Sequence, residues 1–131
     1  MFGRKPKSHD GIPNDLYDFL EEADALYIKA FETRSIGILK EHFTKECCRA
    51  ISLWIVAEAS SRYFSDEKFR ETTWTILTQT AEEITLQKEC VYRDIRLSLN
   101  RTMKVSDDYK EQWTVKVTPE EFWVTSVNYI Y

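Results

Sequence analysis

The sequence predicts an α+β domain, with two or three N-terminal helices packed in the concave face of a strongly curved antiparallel sheet of four or more strands. Three observations predict it. Residues 15–33 repeat apolar side chains at helical spacing. From Thr72 onward the apolar period changes from about 3.6 to two. The last third, 101–131, is dense in β-branched and aromatic residues, and Pro119-Glu120 forms a single corner between 112–118 and 121–131, which reads as an antiparallel hairpin.

The first thirteen residues are basic, polar and interrupted by Gly3, Pro6, Gly11 and Pro13, so a flexible tail is expected before a single domain spanning 14–131. Asn14 offers an N-cap, and Asp15 and Asp18 face the positive end of the helix dipole. Leu16, Phe19, Leu20, Ala23, Leu26, Tyr27, Ala30 and Phe31 then form an amphipathic stripe, and Asp18, Glu21, Glu22, Asp24 and Lys29 read as its solvated face. Ser35 can cap a short second helix through Ile36, Leu39 and Phe43, weakened by Gly37. Thr44 can open a third, with Cys47, Cys48, Ile51, Trp54 and Ile55 on one face. Because 50–59 is nearly all apolar, burial on more than one side is expected there, and a switch to strand after Ser52 fits the pattern equally well.

Residues 61–69 read as a linker or a single turn. In the first strand Trp74 and Ile76 share a face opposite Thr73, Thr75 and Leu77, and 80–83 reads as a turn. In the second strand Ile84 and Leu86 are in one phase and Val91, Ile95, Leu97 and Leu99 in the other, which predicts a β-bulge near 88–90. Asn100-Arg101 and Asp107-Asp108 are both candidate turns for the following hairpin. The strands are long against a usual five or six residues, and long bulged strands imply a sheet that wraps a helix.

At 131 residues the chain is one domain by size. The formal charge of −4 becomes −7 once the +3 of Arg4, Lys5 and Lys7 is set aside, and so acidic a body argues against nucleic acid as a partner. No apolar run has the length of a transmembrane segment. Three cysteines without C-x-x-C spacing imply neither a disulfide framework nor a zinc site; reduced thiols and a cytoplasmic location are expected. Adjacent Cys47 and Cys48 splay by about 100° on a helix, so no metal and no cofactor is expected.

Residues 26–44, a long helix, a brief break and a short helix ending in an aromatic-Thr corner, resemble the opening of the nuclear transport factor 2-like superfamily. The closing hairpin, 109–117 and 122–131, is similar to that superfamily's last two strands, with Trp113 and Trp123 as its large aromatics. The resemblance covers residues 14–131 and lies in element order and aromatic placement. It implies a cone-shaped domain with a cavity at its wide end and frequent dimerisation through the outer sheet face. The superfamily hosts many activities, so the resemblance names none.

Two functional readings follow. Both faces of the last strand are apolar, which points to a partner: a non-catalytic interaction or self-association module, homodimeric or bound to another protein through Trp123, Val127, Tyr129 and Tyr131. The alternative is a small-molecule binder, or an isomerase- or dehydratase-type enzyme, holding a small apolar ligand in the cone with Asp94, Tyr92, His42 or Glu89 as acid or base. His42 is also four residues from Glu46, the spacing of a surface helix pair. His9 lies in the tail.

Overall fold

A computed structural model describes residues 11–57, 70–98 and 101–130, and of residues 57, 70, 92–98 and 101–108 it describes the backbone. Helix α1 spans Asn14–Thr33, a short 3₁₀ turn spans Gly37–Leu39, and helix α2 spans Lys45–Ala57. Four strands follow, β1 (Arg70–Gln79), β2 (Glu83–Ser98), β3 (Arg101–Val117) and β4 (Phe122–Ile130), in one antiparallel sheet of order β1-β2-β3-β4. This is the expected α+β class, with helices against a meander. The expected linker, 61–69, lies outside the described residues, as does the tail up to residue 10. The packed body already begins at Ile12, 7% exposed and part of the core, so the chain is anchored two residues before the expected boundary.

Helix α1 begins as its stripe predicts but not with the predicted cap. Pro13 occupies the cap position with extended ψ of 148°, Asn14 makes no capping bond, and the Pro13 carbonyl accepts from Tyr17 N–H at 2.9 Å. The helix ends where Arg34 turns left-handed at φ 56°, its N–H and that of Ser35 both donating to the Ala30 carbonyl. The buried face includes Leu16, Leu20, Ala23, Tyr27, Ile28 and Phe31, but also Asp24. Asp24 is four residues from Leu20 and three from Tyr27, so helical geometry carries it inward. The expectation of a solvated Asp24, made from its polarity, is corrected.

Thr44 does cap α2: its Oγ1 accepts from Cys47 N–H at 3.3 Å. The chain stays helical through Ala57, which settles the helix-or-strand alternative after Ser52. Only the 47/51/55 face is buried. Leu53 and Val56 are 67% and 80% exposed, so the expected burial on several sides does not occur among the described residues.

The sheet corrects the register expectations. β2 pairs with β3 without interruption from Glu83↔Lys116 to Ser98↔Arg101, so no bulge lies at 88–90 and Asp107-Asp108 sits inside β3. Lys88 simply continues the inward phase of Ile84, Leu86 and Cys90. Apolar residues on the other phase, of which Val91 is half-buried, produce the apparent phase change. The irregularities lie in the flanking strands instead, between Ile76 and Thr78 of β1 and opposite Thr114/Val115, where Thr125 of β4 is the extra residue. β1 keeps its expected alternation, with Trp74 buried and Leu77 exposed.

One rung ties the helical layer to the sheet edge. Phe43 bridges Val124 in parallel sense, with Thr44 N–H donating to the Val124 carbonyl at 2.9 Å and Val124 N–H to the His42 carbonyl at 2.8 Å. Below it, Tyr27, Phe43 and Trp74 meet around Trp113 edge-to-face with ring centroids 5.0 to 5.7 Å apart, while Tyr27 and Phe43 stack at 6.3 Å.

Candidate ligand groove and a buried charge cluster

The centre of the concave face is not purely apolar. Lys88, from the middle of β2, is fully buried with Asp24 of α1 and Glu111 of β3. Its ammonium donates to Asp24 Oδ1, to Tyr109 OH at 3.1 Å and to Glu111 Oε1 at 3.3 Å. Glu111 accepts two more bonds, from Tyr27 OH to Oε2 at 2.6 Å and from Trp113 Nε1 to Oε1 at 3.1 Å. The Lys88 Nζ also lies 5.1, 5.0 and 5.5 Å from the ring centroids of Tyr27, Tyr109 and Trp113, within cation–π range.

These contacts decide the chemistry of the lysine. Burial alone pulls its pKa down, but the Asp24 and Glu111 carboxylates outweigh it and hold the ammonium above its usual range. A lysine kept protonated, with its three donors taken by Asp24, Tyr109 and Glu111, is neither a nucleophile nor a base. The cluster is a satisfied polar network that fixes α1 on β2 and β3.

A second feature is open. A groove of about 550 Å³ runs between the 3₁₀ turn, the first turn of α2 and the β3–β4 edge, lined by Ile36, Phe43, Trp123 and Cys48 together with Lys40, Lys45 and Lys116. The Phe43–Val124 rung creates it, because it seats the start of α2 beside Trp123. The lining is mostly apolar, and none of the three ammonium groups forms an ion pair with a described residue. Cys48 is half-buried in the groove, where burial raises its thiol pKa and leaves it a weak nucleophile. Another hollow, between the β1–β2 and β3–β4 turns, is lined by Ala81, Glu82, Lys116, Val117, Thr118 and Pro119. It offers no aromatic surface.

No family model matches this chain, and no curated protein does. Among solved structures, a protein of Xanthomonas campestris pv. campestris assigned as a polyketide cyclase matches at 10% identity with a TM-score of 0.37, over 87% of this chain and 90% of that one. A likeness of that degree carries no argument about activity.

The expected site residues do not converge. Trp123, Val127 and Tyr129 were expected on one outer face, but the extra residue at Thr125 splits them. Val127 pairs with Trp113 and is buried; Tyr129 pairs with Glu111 and stacks on Tyr109 at 6.3 Å, both on the inner side. Trp123 pairs with exposed Lys116 and lines the groove. Tyr131 lies outside the described residues. His42 pairs with Glu22 of α1 (Nε2 to Oε1, 2.8 Å) rather than with Glu46, and stacks on Phe19 at 5.6 Å. Tyr92 and Asp94 pair in backbone register with Asp107 and Val105, and their side chains lie outside the described residues. Glu89 is half-buried on the opposite phase from Lys88. Sequence reading misses all three residues of the cluster: it puts Asp24 on the solvated face by its polarity and does not single out Lys88 or Glu111. A strict count of β2 in steps of two from Ile84 through Cys90 would have put Lys88 inside.

Proposed function

We propose that this chain is a small-molecule-binding domain that holds its ligand in the groove beside Trp123. The observation that carries the reading is the groove itself, whose volume lies in the range typical of ligand sites, roughly 300–1,000 Å³, and whose lining is apolar with a few polar groups. The cluster around Lys88 supports binding over proton-transfer catalysis, since its charges already satisfy one another. Self-association through a shared outer face loses its support with the division of Trp123 from Val127 and Tyr129.

Gly37 provides the test. It lines the groove, a Cβ there meets nothing within 4 Å, and its φ does not require glycine. Gly37→Phe therefore adds a ring at the groove wall with no contact opposing its Cβ and should obstruct the groove, and Gly37→Ala should leave it open. Uncharged Nile red should show saturable fluorescence enhancement with the wild type and Gly37→Ala, and lose it with Gly37→Phe. Trp123→Ala should weaken binding about tenfold, the equivalent of about 1.4 kcal/mol. An unsaturable signal, or one indifferent to Gly37→Phe, removes the reading.

A further inference from the structure

The groove's charge identifies its ligand class, an inference that rests on the groove being the binding site. The body of the protein is acidic, at −7 outside the first nine residues. Yet the groove lining contains Lys40, Lys45 and Lys116 and no carboxylate. The three come from three different places, the end of the 3₁₀ turn, the first residue of α2 and the β3 position opposite Trp123, so no single helix face accounts for their meeting. All three are exposed along with the groove mouth, while Phe43 forms a buried floor and Trp123 and Ile36 half-buried walls. Lysine stems lie along apolar surface and keep their ammonium groups in water. The floor thus takes an apolar body and the rim takes charge.

We infer that the ligand is a small amphipathic anion, with a flat aromatic or short alkyl body against Phe43 and Trp123 and a single carboxylate or phosphate head among Lys40, Lys45 and Lys116. Flexible ammonium groups act as point charges and do not impose the paired geometry of a guanidinium, so either head satisfies them. Cys48 stays a neutral bystander, and binding is non-covalent.

Three probes that share a naphthyl body separate the possibilities: 2-naphthoate, its uncharged isostere 2-naphthamide, and the bulkier, more highly charged 2-naphthyl phosphate, titrated calorimetrically at low and high salt. The anions should bind about tenfold or more tighter than the amide, and that preference should shrink as salt screens the exposed ammonium groups. The ratio between the two anions reports which head the rim prefers. The variant Lys40→Gln/Lys45→Gln/Lys116→Gln should bind all three probes alike, with an unchanged circular dichroism spectrum because the three positions are exposed. Equal binding of amide and anions by the wild type, or a preference that survives high salt and the triple variant, overturns the inference while leaving the groove as a ligand site. Failure of all three probes together with a silent Nile red titration overturns both.

Discussion

At the scale of single residues, Lys88 dominates. Removing its ammonium leaves Asp24 and Glu111 buried without their cation, so Lys88→Met should cost about 3–5 kcal/mol in a denaturant titration despite its apolar replacement. A loss under 1 kcal/mol would mean that water reaches the site. The same burial and raised pKa predict reactivity: acetylation by sulfosuccinimidyl acetate, followed by mass spectrometry, should modify Lys40, Lys45 and Lys116 early and Lys88 last. Cys47 behaves in parallel, its thiol pushed up to about 12 by burial and by neighbouring Cys48. Iodoacetamide at neutral pH should spare it in the native state and alkylate it in urea.

At the scale of elements, the decisive irregularity is Thr125. Deleting it would bring Val124 and Ser126 together opposite Val115 and Thr114 and restore simple alternation through β4, with Val127 and Tyr129 still against Trp113 and Tyr109. Deleting Asn128 instead would turn Tyr129 outward. The loss should be small for the Thr125 deletion and larger, visible as a lower urea midpoint, for the Asn128 deletion, because only the second is a one-residue slip that exchanges the faces of everything beyond it. Much of this level was legible in the sequence. The α1 stripe, the opening of α2 at Thr44, the alternation in β1 and the Pro119-Glu120 corner follow from local periodicity and turn chemistry, and the structure has them. What failed was inference across elements. A bulge near 88–90 is expected only if apolar Val91, Ile95, Leu97 and Leu99 mark an inward phase, whereas the extra residues lie in β1 and β4, whose pairing is set by neighbouring strands. The groove was illegible for a related reason: Lys40, Lys45, Lys116 and Trp123 meet only after the rung at Val124 forms, and no local pattern encodes that rung.

At the scale of the whole molecule, the resolved pKa shifts with a net direction all point upward, which fixes how stability responds to alkali. Cys47 and Tyr17 are raised to about 12 by burial first of all, and Lys88 is raised by its carboxylates. Each group holds its proton longer in the folded chain than in the unfolded one, so the unfolded state binds fewer protons at high pH and stability falls as pH rises. The contribution is complete below the unfolded values, roughly 8.5 for Cys and 10 for Tyr and Lys, and disappears as pH climbs through the folded ones. Thermal melts should therefore be flat in pH across this origin from about 7 to 8 and decline from about pH 9 upward. A melting temperature that rose between pH 9 and 11 would contradict the buried placement of these groups. The Phe43–Val124 rung has a consequence at this same scale. By occupying both outward backbone groups of Val124, it acts as an end stop on that side of the ribbon, so a second copy cannot zip its own strand along the middle of β4. Growth of the sheet from molecule to molecule is closed off there by a single turn of the chain's own making.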